Sequence, residues 1–163
     1  MQQDIILEQQ MEELLMNHYT ALYRFAYRYV RNEEDAMDIV QESAYKAMKN
    51  CHSLREPQYA VTWLYRIVRN ESVSFLRKKQ AILVPLSEFD GEREEHYMDF
   101  DLQLALCQLT REDRTVVLLR YFEGLSFQQM AEVMKENINT IKSRLYRALQ
   151  KLRMLLGGSN AML

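Results

Sequence analysis

Only four glycines and two prolines interrupt the 163 residues of this chain. Tight hairpin turns and bulges draw on those two residue types. A sequence so poor in them has little means of closing an all-β fold and is expected to be helical. Apolar residues at 48% and charged residues at 27% support a globular chain and argue against a disordered one. The length suits one ordinary domain or two small ones. No run approaches the roughly 18 unbroken apolar residues of a membrane span. The opening Met1-Gln2-Gln3-Asp4 lacks the basic start and apolar core of a secretory signal. Cys51 and Cys107 stand far apart, with no Cys or His at metal-ligand spacing. The expectation is therefore no disulfide, no metal, no cofactor and a cytoplasmic location.

Apolar periodicity divides the chain in two. Leu15, Tyr19, Leu22, Ala26 and Tyr29 share one helical face in a segment from about Met11 to Val30. Asn32 followed by Glu33, Glu34 and Asp35 is a helix start, a capping side chain and then acids facing the positive helix end. The helix it opens turns Ala36, Ile39, Val40, Ser43 and Ala47 inward. Cys51 to Gln58 reads as a loop, and a third helix from about Tyr59 to Lys79 is expected to bury Leu64, Ile67, Val68, Phe75 and Leu76, with Trp63 in the core. From Ile82 to Asp99 no period persists, and Pro85, Gly91 and Glu92-Arg93-Glu94-Glu95 suggest a flexible acidic linker.

A second unit begins near Phe100 with the stripe Leu102, Ala105, Leu106 and Leu109. Thr110 opens a helix that ends around Tyr121-Phe122, and Gly124 suits a left-handed cap. Ser126 and Gln129 have capping-box spacing ahead of a short helix. A longer helix, starting between Asn137 and Thr140, buries Ile141, Leu145, Ala148, Leu149, Leu152 and Leu156. Short helix, tight turn and longer basic helix make a helix-turn-helix. The fold expected is all-α: an N-terminal domain over 11–80, a linker over 81–99 and a C-terminal domain over 100–157.

Charge is strongly segregated. Positions 1–45 hold nine acids and three arginines, a local charge of −6, whereas 66–80 hold Arg66, Arg69, Arg77, Lys78 and Lys79 against Glu71 alone, or +4. Positions 86–101 carry seven acids and Arg93, again −6, and no acid follows Asn137 although five cations do. Two cationic patches separated by acidic segments suggest two contacts on one polyanion. In the last helix Thr140, Arg144, Arg147 and Lys151 lie opposite the leucine stripe, with Lys142 and Ser143 beside them. A helix in the major groove needs this layout: arginine forks span the two acceptors of guanine, small polar residues allow close approach, and lysines hold phosphates.

These residues also carry a resemblance. Leu109-Thr110-x3-Arg114-x4-Leu119-Arg120-Tyr121-Phe122-Glu123-Gly124-Leu125-Ser126, then Ala131-Glu132-Val133, then Thr140-Ile141-Lys142-Ser143-Arg144-Leu145-x-Arg147-Ala148 resembles the C-terminal region of bacterial RNA polymerase sigma factors, above all the small extracytoplasmic-function (ECF) group. Asp35-Ala36-x-Asp38-Ile39-Val40-Gln41-Glu42 is similar to that family's acidic helix. Trp63-Leu64-Tyr65-Arg66-Ile67-x2-Asn70, ending in Leu76-Arg77-Lys78-Lys79, is similar to its downstream-promoter and strand-opening segment.

The resemblance implies a factor that directs core RNA polymerase to specific promoters, those of stress or envelope-response genes. It implies polymerase docking through Asp35, Asp38, Gln41 and Glu42, with promoter contact by Arg66, Arg69, Asn70, Arg77, Lys78 and Lys79. Upstream-element contact would fall to Asn139, Thr140, Lys142, Ser143, Arg144, Arg147 and Lys151. The Cys51–Gln58 loop is where the family captures an unstacked promoter base, although no residue pattern transfers there. The resemblance further implies an anti-sigma factor, often membrane-anchored. Lys135 and Asn139 stand where the family usually has glycine. No nucleophile–base pair is visible, so an enzyme is not expected. The alternative reading is a stand-alone helix-turn-helix repressor or activator that binds an operator as a dimer.

Overall fold

A computed structural model describes residues 1–79 and 100–157; the expected linker over 81–99 lies outside the described residues. The chain divides into two compact units, and all regular structure among the described residues is helical.

The first unit packs three helices: α1 (Gln2–Val30), α2 (Glu33–Asn50) and α3 (Ala60–Lys79). Met11, Leu22, Phe25, Ala26 and Tyr29 of α1 meet the inward faces of α2 and α3. Phe25 anchors the centre, edge-on to Tyr29 at 5.3 Å and to Tyr65 at 5.5 Å between ring centroids. Each such side chain fully removed from water contributes about 1.5–3 kcal/mol. Asn32 caps α2, its side chain accepting from the Asp35 amide at 3.0 Å. The five inward residues expected of α2 are the five buried there.

Three expectations are corrected. Helix α1 starts at Gln2, nine residues before Met11, because the stripe continues backwards through Leu7, Met11 and Leu14. In α3 the buried set is Ala60, Thr62, Leu64, Tyr65, Val68 and Ser72. Trp63, Ile67, Phe75 and Leu76 are only half-buried, and Tyr19 of α1 is exposed. A three-helix unit covers each helix along a narrow stripe, so apolar residues flanking the stripe stay partly in water. The Cys51–Gln58 loop contains two single turns of 3₁₀ helix, Cys51–Ser53 and Pro57–Tyr59.

The second unit contains α4 (Phe100–Gln108), α5 (Arg111–Val117), α6 (Phe127–Met134) and α7 (Ile138–Leu155). Thr110 caps α5 by accepting from the Asp113 amide. Arg114 closes the end of α4, donating to the carbonyls of Leu106 at 3.0 Å and Cys107 at 3.1 Å. Beyond Val117 the helix widens to π turns over Leu118–Phe122, and the Glu123 amide reaches back to the Leu118 carbonyl. Gly124 takes φ +67°, as its place in the turn predicts. Leu149 of α7 and Leu156 just past its end, both expected in the core, are half-buried.

Candidate nucleic-acid interface

The helix-turn-helix is assembled by caps. Ser126 and Gln129 form a reciprocal capping box at the start of α6: the Ser126 amide donates to Gln129 Oε1 at 2.9 Å, and the Gln129 amide donates to Ser126 Oγ at 3.1 Å. Arg120 Nη1 donates to the Leu125 carbonyl at 3.0 Å, and its guanidinium covers the Phe127 ring at 4.4 Å. Met130, Val133 and Met134 then seat α6 on the core. Helix α6 stops at Lys135, which adopts the left-handed conformation at φ 53°. That conformation costs an L-residue about 1–2 kcal/mol, and the hydrogen bond from the Glu136 amide to the Ala131 carbonyl at 3.1 Å offsets part of it. Asn137, not Asn139, caps α7, accepting from the Asn139 amide at 2.8 Å. Asn139 is already inside the first turn.

Helix α7 buries Ile141, Leu145, Ala148 and Leu152. Its opposite side exposes Asn139, Thr140, Lys142, Ser143, Arg147 and Lys151, six of the seven residues expected there. The seventh is placed differently. Arg144 lies at the edge of the buried stripe with its side chain 19% exposed. It donates to both oxygens of Glu136, at 2.9 and 3.3 Å, and lies 3.8 Å from the Asp113 carboxylate. Asp113, only 8% exposed, also receives Arg147 at 3.5 Å, while Arg147 itself remains 67% exposed. The turn after Lys135 thus supplies the acid that holds Arg144, and α5 supplies a buried carboxylate behind Arg147. Sequence reasoning missed Tyr146, which is 67% exposed on the same outward face. Its signal was available, since residue 146 follows Asn139 and Ser143 at helical spacing.

In the first unit Arg77 and Lys78 are exposed at the end of α3, whereas Arg66, Arg69 and Lys79 are half-buried. Asn70 is exposed, accepting from Arg69 at 3.0 Å, not the partly buried residue its mid-helix position suggests. Of the four expected docking residues, Asp38, Gln41 and Glu42 are exposed together on α2. Asp35 is separated from them in role: its carboxylate receives Lys79 Nζ at 2.7 Å and ties the start of α2 to the end of α3. Lys46 and Glu71 form a second tie between these helices. That hydrogen bond, aided by the charges of Glu71 and Glu42, raises the Lys46 pKa above 10.5 against the opposing effect of burial. Tyr59, 47% exposed where the loop enters α3, is a further aromatic that periodicity did not single out.

No helix among the described residues is long and apolar enough to cross a membrane. No cluster of three or more His, Cys, Asp or Glu able to hold a metal occurs among them.

The Sigma-70 region 2 family matches residues 14–82, and the Sigma-70, region 4 family matches residues 99–152. The chain is 40% identical over 146 residues to the RNA polymerase sigma factor SigV of Bacillus subtilis (strain 168), covering 87% of this chain and 88% of that one. It is 33% identical over 141 residues to the ECF RNA polymerase sigma-E factor of Haemophilus influenzae, covering 74% of each. Among solved structures it is similar to the sigma factor RpoE of Bartonella quintana, co-crystallised with the anti-sigma factor NepR. Identity there is 27%, the TM-score 0.78, and the match covers 91% of this chain and 98% of that one. CnrH, solved with the cytosolic domain of CnrY, shares the fold with a TM-score of 0.69 at 22% identity, over 96% of this chain and 99% of that one.

Proposed function

The chain belongs to the sigma factors of bacterial RNA polymerase, within the ECF group, and on that premise we propose how its two units divide the work. It binds core RNA polymerase and directs it to specific promoters, where transcription starts. Polymerase docking is assigned to the open acids and amide of α2, Asp38, Gln41 and Glu42. Exposed acids at helical spacing steer and orient a basic partner. Asp35, engaged with Lys79, is assigned to setting the angle between α2 and α3.

Arg66, Arg69, Asn70, Arg77, Lys78 and Lys79 are assigned to the downstream promoter element and the strand that separates there. A row of cations follows a single-strand backbone irrespective of sequence, and a neighbouring ring such as Tyr59 stacks on a base. The Cys51–Gln58 loop is assigned to receiving an unstacked base. The upstream element falls to Asn139, Thr140, Lys142, Ser143, Arg147 and Lys151, with Arg144 holding α7 to its neighbours. Arg147 is the residue suited to a bidentate guanine contact, and the lysines to phosphates.

Neither cationic surface is extensive, and each lies in a chain of net charge −2. Binding by one surface alone is weak; polymerase, by fixing both on the same DNA, converts the second contact into an intramolecular one. The protein acts without catalytic chemistry of its own and works in the cytoplasm. Its regulated target genes are those of a stress or envelope response, and an anti-sigma factor, membrane-anchored or soluble, occludes it until a signal arrives.

The observation that carries this reading is the coincidence of the two matched regions with the two compact units, each with its own outward cationic surface. The test is capture of sigma-free core polymerase by the purified chain, followed by transcription from a library of random promoters. Tight binding with initiation from a shared two-part motif is expected. Failure to bind polymerase, with operator selection succeeding on the chain alone, would replace this reading with a stand-alone repressor.

A further inference from the structure

The matched Sigma-70 region 2 begins at Leu14, and α1 begins at Gln2. The first three turns of α1 therefore lie ahead of the matched region. They do not project idly into solvent. Leu7 and Met11, with Leu14 beyond them, face Cys51, Leu54 and Pro57 across an apolar cleft of about 250 Å³. Met11 and Cys51 are 4% and 2% exposed. Next in sequence to Cys51, His52 lies 3.6 Å from Asp4 and 3.4 Å from Glu8, one ring nitrogen to each carboxylate.

The segment they meet has little internal support. Its two single turns are closed by the Leu54 amide on the Cys51 carbonyl at 3.2 Å and the Tyr59 amide on the Glu56 carbonyl at 3.1 Å. Ser53 Oγ donates to the Asn50 carbonyl at 2.7 Å. Single 3₁₀ turns of this kind do not hold their shape alone. One wall of the segment is turned to α1, and the other leaves Arg55, Glu56, Gln58 and Tyr59 exposed.

We propose that residues 2–13 of α1 are a brace for the Cys51–Tyr59 segment, and that Leu7 is a positioning residue for recognition of the downstream promoter base. This rests on the reading that the segment receives that base. The brace holds the inner wall through Leu7 and Met11 and holds His52 as well, so the outer residues meet the DNA strand in one conformation. Without it the segment samples several, and the correct base loses its advantage over the wrong ones.

The test uses the full chain with sigma-free core polymerase and a promoter library randomised separately at the upstream and downstream elements. Leu7 is only half-buried near the end of a helix, so Leu7→Asp breaks the apolar contact and leaves the core of the unit intact. Preference for the best downstream base is expected to fall roughly tenfold, about the value of one base-pair mismatch. Upstream preference and polymerase affinity stay unchanged. Leu7→Met, which refills the cleft, restores the preference, and hydrogen exchange at 51–59 speeds up in Leu7→Asp alone. Unchanged downstream preference in Leu7→Asp overturns the proposal. So does an equal loss at both elements, which marks general destabilisation. If the unaltered chain initiates from no shared two-part motif, the sigma-factor reading itself fails, a result distinct from either of these.

Discussion

The two units use charge pairs differently. In the first, the lysine end of each tie is open to water, Lys79 at 42% and Lys46 at 45%, while the partner carboxylates Asp35 and Glu71 are 20% and 18% exposed. In the second, the ties converge on Asp113 at 8%, with Arg144 at 19% and Glu136 at 25%. Exposed pairs are screened and contribute little, whereas a carboxylate out of water depends on its partners. The first unit is therefore held mainly by its apolar stripe. The second, built on shorter helices, spends one of its basic residues on fixing the angle of α7. Arg144 stands in register with the cations assigned to DNA, yet its guanidinium is paired with Glu136.

The sharpest way to break this comparison is Arg144→Met. It leaves Glu136 without its cation and Asp113 with Arg147 alone, and the expected loss in stability is ~3 kcal/mol by denaturant unfolding. A stable variant with weakened upstream-element binding would instead make Arg144 a direct contact. Next in size is reversal of the docking face. Asp38→Arg with Glu42→Arg is expected to weaken polymerase binding by ~2 kcal/mol in a competition assay, through like-charge contact, while the thermal transition stays in place. Arg147→Ala should cost about 1–3 kcal/mol in upstream-element binding and relax preference at one base pair, read by selection on a randomised element. Its stability should fall by about 1 kcal/mol, since the exposed side chain is one of two cations facing the buried Asp113 carboxylate.

The smallest effect belongs to Lys46 and Glu71. The Lys46 pKa is raised above 10.5 in the folded chain, first by its hydrogen bond to Glu71. The pair's contribution is therefore complete below the unfolded value and is lost as pH rises through the raised one. Thermal melts of the unaltered chain and Glu71→Gln should differ by no more than ~1 kcal/mol near neutrality. The difference should vanish at strongly alkaline pH. A gap that persists there would mean that Glu71 acts by packing alone.

Local signals proved dependable wherever a few neighbouring residues suffice. Asn32, Thr110 and Ser126 cap the helices expected of them, because a cap is a contact between residues three apart. The inward face of α2 was legible residue by residue. Boundaries are less legible: Ile5 and Ile6, about half exposed, blur the stripe through Leu7, and the periodicity is clear only from about Met11. The order of the helices, the helix-turn-helix and the exposed acidic face of α2 were likewise plain from spacing and charge, and the family from two motifs in register.

What the chain alone determined is thus the set of elements and the faces they offer, since both follow from periods and caps within one helix. What the tertiary structure decided is which of several equivalent residues is committed. Arg144, Arg147, Lys142 and Lys151 are all cations on one helix, yet packing against α5 and the turn after α6 brings Asp113 to Arg144 and Arg147 and adds Glu136 to Arg144. Asp35 and Asp38 are one turn apart, yet only the end of α3 gives Asp35 a lysine. The partners lie 8 to 44 positions away in sequence, beyond any helical period, and their meeting is set by how the apolar stripes pack.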